Sequence, residues 1–156
     1  MTDPHDGASR WDERHRAREA ALRALYQLEI GGLETAQALA LVEQEGDADA
    51  VTLDAGTRAF AARLVTGTFA NKTTLDAVIE PHCTNWRLER LAVLDHLVLR
   101  LAVQEWLAEP STPPRVVLSE ALELAREYSG EAAVRFVNGV LDAAYRQLRA
   151  DGRIID

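Results

Sequence analysis

Apolar residues recur every three or four positions through most of this chain, and the strict alternation of a half-buried β-strand is nearly absent. The pattern predicts an all-α protein. A first helix fits residues 11–30, with Ala17, Ala21, Leu25 and Leu28 on its buried stripe, Arg16, Glu19, Arg23 and Gln27 on its solvated side, and Gly31-Gly32 as the stop. A second fits 34–45, ending near Gly46, and after the acidic loop DADAVTLDAG a third covers 55–80, where Pro81 terminates it. The segment NWRLERLAVLDHLVLRLAVQEWL at 85–107 carries so much apolar surface that it must be a central helix, with Asn85 as its N-cap. At about 100° per residue, Leu88, Leu91, Val98, Leu99 and Ala102 share one side, and His96, Arg100 and Gln104 form a narrow polar strip. The prolines of EPSTPPR at 109–115 break the pattern. A helix over 114–128 then buries Leu118, Ala121, Leu122, Ala125 and Tyr128 and stops at Gly130, and a last one over 131–149 buries Val134, Val137, Leu141, Ala144 and Leu148. Gly139, inside that last helix, costs about 1 kcal/mol against alanine and so predicts a close helix–helix approach. No internal repeat is present, and the interruption near 81–85 divides the chain into two helical halves, 1–84 and 85–156.

Composition narrows the class. A chain of 156 residues can hold one core or two small bundles, and is too short for a catalytic domain with an accessory module. Apolar and charged fractions of 47% and 27% are those of a folded globular protein. Charges interrupt every apolar stretch well before the roughly 20 residues that a membrane span needs, and MTDPHDGASR lacks the basic-then-apolar order of a signal peptide, so a cytoplasmic protein is expected. Cys83 is the single cysteine, which excludes an internal disulfide, and its neighbour His82 has no second Cys/His cluster at zinc-ligand spacing, so no metal is expected. There is no Gly-rich phosphate loop, no G-x-S-x-G and no H-E-x-x-H, and the abundant carboxylates fall in the patterns of solvated faces. These features point away from an enzyme and call for no cofactor.

Charge changes the picture through its position. A net charge of −8 argues by itself against a nucleic-acid partner. Yet Arg10, Arg14, Arg16, Arg18 and Arg23 crowd one end, while residues 24–57 hold Glu29, Glu34, Glu43, Glu45, Asp47, Asp49 and Asp54 with no Lys or Arg. The stretch RHRARE at 14–19 offers guanidinium forks to phosphates or stacked bases; an exposed helix start balanced by Asp12, Glu13 and Glu19 is the competing account. Phe136 and Asn138 turn away from the centre of the last helix's apolar stripe, near Arg135, where an aromatic and an amide could engage an unpaired nucleotide, although an aromatic at helical spacing also suits a core. Asp95 falls between Leu91, Val98 and Ala102 on an apolar arc. A carboxylate there needs either an internal arginine or a partner protein covering the edge.

Four segments, RHRAREAALRALYQLE at 14–29, NWRLERLAVLDHLVLRLAVQEW at 85–106, VVLSEALELAREYS at 116–129 and FVNGVLDAAYRQL at 136–148, together resemble the NusB family of transcription antitermination factors across nearly the whole chain. The most specific pieces are R-A-R-E followed by A-L-Y-Q, the L-R-L-A-x-x-E stretch ending at Glu105, and F-V-N-G-V-L-D, in the family's order. The resemblance implies about seven helices in two small three-helix bundles packed roughly perpendicular. It also implies binding to the boxA element of nascent ribosomal RNA transcripts as a heterodimer with NusE, a small-subunit ribosomal protein, within the RNA polymerase antitermination complex. Carried over by position, it implies RNA contacts by Arg14, His15, Arg16, Arg18 and Phe136 with Asn138 adjoining, stacking by Trp86 if that ring is not part of the core, and partner contacts by Tyr26 and Asp95. His15 interrupts what is an all-Arg run in the family, and Ala132 and Ala133 stand where some relatives carry polar side chains, which leaves the RNA footprint open. A protein-binding helical adaptor or homodimer without RNA binding is the alternative. The accessory domain of an RNA methyltransferase shares the fold by resemblance, but the length leaves no room for a cofactor-binding domain.

Overall fold

A computed structural model describes residues 4–43, 53–83 and 87–155, with side-chain surroundings for 12–42, 53–83 and 87–155. Among these residues there are seven α-helices and no strand: α1 (Pro4–Glu29), α2 (Thr35–Glu43), α3 (Ala55–Ala70), α4 (Lys72–Ile79), α5 (Val93–Ala108), α6 (Pro114–Tyr128) and α7 (Glu131–Ala150). None of the helices searched is long and apolar enough to cross a membrane. Asn85 and Trp86 lie outside the described residues.

The chain divides into two compact units, one ending at Thr66 and the other beginning at Gly67. This division falls inside α3, earlier than the expected break near 81–85. The reason is that α4 packs on α5 and α7 of the second unit, so the proline that follows α4 separates no cores.

In the first unit, α1 buries Ala17, Ala20, Ala21, Leu22, Ala24, Leu25 and Leu28, which includes the whole predicted stripe. Opposing residues come from α2 (Ala38 and Val42) and from α3 (Phe60, Ala61, Leu64 and Val65). Phe60 is fully buried, and removing such a ring from water stabilises a fold by roughly 2–3 kcal/mol. Asp54 starts α3 by accepting the Thr57 N–H at 2.7 Å, an N-cap interaction that holds its carboxyl below the usual value. The Thr57 hydroxyl donates to Glu13 of α1 at 3.3 Å, joining the two helices.

In the second unit α5 is the central helix, packed against α4, α6 and α7, and buried on almost every side from Leu97 to Trp106. The Trp106 indole donates to the Pro114 carbonyl at 3.1 Å and its ring lies 5.7 Å from that of Tyr145. Helix α7 buries every residue predicted for it, with Ala133 and Val140 in addition. Its end is fixed by Gly152, whose φ of +72° lets the Arg153 N–H reach back to the Leu148 carbonyl at 2.8 Å.

Four expectations change. The helix expected over 55–80 is two helices, because Asn71 leaves helical geometry at φ −102°, ψ 12° and donates its side-chain amide to Gln104 Oε1 at 3.3 Å. The helix expected from residue 85 begins at Val93: Leu88–Arg90 make one 3-10 turn, and Leu91 and Ala92 are extended with ψ of 146° and 136°. No glycine or proline marks that break, so the apolar periodicity runs through it unaltered. The stripe on α6 centres on Val117, Ala121, Leu124 and Ala125, with Leu118, Leu122 and Tyr128 only half-buried at its edge. Gly139, finally, is exposed, and a Cβ built there meets nothing within 4 Å, so no described helix approaches it. The close approach occurs instead at Gly67, where a Cβ would run into the Gln104 side-chain amide.

Candidate nucleic-acid and partner interface

Helical spacing distributes the basic stretch of α1 over different faces. Arg14 and Arg18 are four residues apart and point the same way, toward α3, where their guanidinium carbons lie 4.3 and 5.3 Å from the centroid of the Phe60 ring. Arg18 is only 3% exposed, and its Nη1 is buried without a hydrogen-bond partner among the described residues, although the side chain is engaged elsewhere. Arg14 is half-buried. His15 turns to Glu19, one turn on, with Nε2 3.0 Å from the carboxylate, and Arg23 approaches the same carboxylate at 3.8 Å. Arg16 alone of the four is exposed. Tyr26 sits farther along α1 with an exposed ring, one turn before the exposed Ile30. The local sequence therefore gives two anchoring cations, one histidine held by a carboxylate and one outward arginine.

In the second unit, a groove of about 280 Å³ is lined by Arg90, Leu91, Ala92, Asp95, Ala132, Ala133 and Phe136. It exists because the extended Leu91–Ala92 segment ends the helical course that periodicity predicts and leaves the first turn of α5 open beside the start of α7. Asp95 stands in that first turn, where a negative charge is favoured by the unsatisfied N–H groups of a helix start. Its Oδ1 is nonetheless buried without a hydrogen-bond partner, and among the described residues it forms no ion pair. Among the described residues, no arginine pairs with Asp95. Phe136 borders the same groove half-buried, whereas Asn138, two residues on and about 200° around the helix, is exposed and does not line it. The structure thus brings Phe136 together with Asp95 and leaves Asn138 apart from both.

The internal ion pair on α5 belongs to a residue that sequence reasoning missed, Asp76 of α4. Arg100 donates to it through Nε at 2.8 Å and Nη2 at 2.7 Å, and His96 Nε2 lies 2.7 Å from Oδ1. Because a carboxylate can only accept, the imidazole proton sits on Nε2 in this contact. Burial works to raise the Asp76 carboxyl, but the hydrogen bonds and charges of Arg100 and His96 outweigh it and hold the group below the usual carboxylate range. The signal was present: His96 and Arg100, four apart on a buried helix, require a counter-charge from a neighbouring element. The polar strip is thus an internal seam with α4, completed by Gln104 and Asn71. Cys83 is buried and its thiol pushed up chiefly by desolvation, which suits an inert core residue.

Comparisons with known proteins bear on these surfaces. The model of the NusB family matches residues 15–146. The chain is 39% identical over 129 residues to the transcription antitermination protein NusB of Listeria monocytogenes serotype 4a (strain HCC23), covering 83% of this chain and 93% of that protein. Among solved structures it is similar to T. maritima NusB, with a TM-score of 0.75, 33% identity and 94% of each chain covered. A second similar structure is the complex of antitermination factors NusB and NusE with double-stranded RNA, with a TM-score of 0.74, 27% identity, and 88% of this chain and 98% of that one covered. With a family match over most of its length and a relative 39% identical across more than four fifths of it, this chain belongs to the NusB family.

Proposed function

We propose that this protein is a cytoplasmic transcription antitermination factor that binds the boxA element of ribosomal RNA transcripts as a heterodimer with NusE and helps RNA polymerase read through terminators. The observation that carries the reading is the groove at the start of α5, where Asp95 Oδ1 is buried without a partner beside the ring of Phe136. A buried carboxylate oxygen lacking a donor is costly, and a basic or amide group of a docked protein supplies what the chain does not. In this reading Asp95 and the exposed Tyr26 face NusE, Arg16 and Arg14 attract RNA phosphates, and Phe136 offers an edge for an unstacked base. Arg18 and His15 hold the basic face in place through Phe60 and Glu19. The likeness to a relative solved with NusE and RNA supports the same assignment.

Arg16 gives the test. On a single-stranded RNA, each phosphate contact contributes about 0.7 to the slope of log affinity against log salt. Replacing Arg16 with alanine should weaken binding of a labelled boxA RNA by the NusE complex about five- to tenfold at low salt and flatten that slope by about one contact's worth. Because Arg16 is exposed, the thermal midpoint should stay put. An unchanged slope would remove Arg16 from the interface.

A further inference from the structure

A third guanidinium shares the ring that Arg14 and Arg18 occupy. Arg63, one turn beyond Phe60 on α3, places its guanidinium carbon 5.8 Å from the Phe60 centroid, against 4.3 Å for Arg14 and 5.3 Å for Arg18. Two helices thus deliver three positive groups to one fully buried phenyl ring in a protein of net charge −8. Each cation is attracted by the ring. The three differ in access: Arg18 is buried, Arg14 half-buried and Arg63 exposed, so the basic face of α1 continues outward onto α3.

We propose that Arg63 is an RNA-binding residue that receives a backbone phosphate of the bound RNA, with Arg14 completing the pocket and Arg18 and Phe60 forming its fixed wall. The inference rests on the RNA-binding reading above and extends its footprint from α1 to α3. A guanidinium fork suits a phosphodiester, whose two free oxygens accept in parallel. The site reads backbone rather than sequence, so its loss should weaken all RNAs alike.

The experiment measures binding of a labelled boxA RNA to the complex with NusE across a salt series, for wild type, Arg63→Met, Arg63→Lys and Arg126→Met. Methionine keeps the apolar stem against Phe60 and deletes the charge. Arg126 is an exposed cation paired with Glu123 and Glu131 in the other unit and serves as the control for overall charge. Arg63→Met should bind about five- to tenfold more weakly with a slope reduced by about 0.7, Arg63→Lys should keep the wild-type slope, and Arg126→Met should bind as wild type. Equal behaviour of Arg63→Met and wild type, while Arg16→Ala shows its loss, would overturn the Arg63 assignment alone. Equal losses for Arg63→Met and Arg126→Met would overturn it as a mere charge effect. No binding by the wild-type complex would overturn it together with the RNA-binding reading.

Discussion

Replacing Asp76 with alanine is expected to destabilise the second unit by about 2–3 kcal/mol, because it strips a largely buried guanidinium and a largely buried imidazole N–H of their shared acceptor. Arg100 and His96 have side chains only 11% and 15% exposed, so water can replace the carboxylate only in part. For a chain of this length that loss lowers the thermal midpoint by roughly 5–10 °C. The pH dependence has a definite sign. Asp76 is held below its ordinary value of 3.8 in the folded protein, so its contribution is fully present above that value and is lost as pH falls through the lower folded value. Wild type and Asp76→Ala should therefore differ at neutral pH and converge in acid, below about pH 4. Thermal melts of both proteins at pH 7 and pH 3 check this. Equal midpoints at pH 7 would mean that the pair contributes nothing net.

The second large effect concerns Asp95. Reversing its charge to lysine is expected to weaken binding of NusE at least 100-fold, since it sets a cation against the donor that this carboxylate is proposed to meet, and opposed like charges at an interface cost several kcal/mol. The fold should lose only about 1 kcal/mol, from a first-turn acid turned into a base at the positive end of α5. Asp95→Asn, which keeps shape and one acceptor, should fall between. Calorimetric titration with NusE and a thermal melt separate the accounts: a collapse in stability with unchanged affinity would return Asp95 to an intramolecular role.

Periodicity made α2, α6, α7 and the end of α1 legible to within a few residues, because there the apolar stripe and the stop signals agree, Gly31 and Gly32 after α1, Pro114 before α6 and Gly130 between α6 and α7, whereas α1 starts at Pro4, seven residues before the apolar stripe suggested. It failed where a break carries no glycine or proline. Asn71 ends α3 through a side-chain hydrogen bond to Gln104, a contact 33 residues away that no local pattern contains. Leu91 and Ala92 are extended within a run that is apolar in any conformation, and only Asp95, an acid three residues into the true helix, hinted at the start.

The candidate interface was legible by residue type more than by geometry. The basic stretch of α1 reads as one patch in the sequence, yet a 100° step per residue sends Arg14 and Arg18 onto Phe60, His15 to Glu19 and Arg16 to solvent. Arg63 lies beside Phe60 by helical spacing alone, but its meeting with Arg14 and Arg18 at that ring was out of reach, because it depends on how α1 and α3 pack. Asp95 stood out in the sequence as an anomaly on an apolar arc; the tertiary structure gives Arg100 to Asp76 and leaves Asp95 Oδ1 without a hydrogen-bond partner among the described residues. Gly139 shows the converse. The cost of a glycine in a helix was visible, while the open space around it was not.

Binding of a labelled boxA RNA to the purified protein, alone and with its cognate NusE, tests the central claim most directly. A net charge of −8 and a small basic face predict weak binding by the protein alone, and a second RNA-binding surface on the same strand should raise the affinity at least tenfold, with reciprocal strengthening of NusE binding by RNA. Mutation of the boxA sequence should abolish the gain. If NusE binds and the RNA affinity does not change, or if no RNA binds under either condition, the account is contradicted and the protein is a helical adaptor for other proteins.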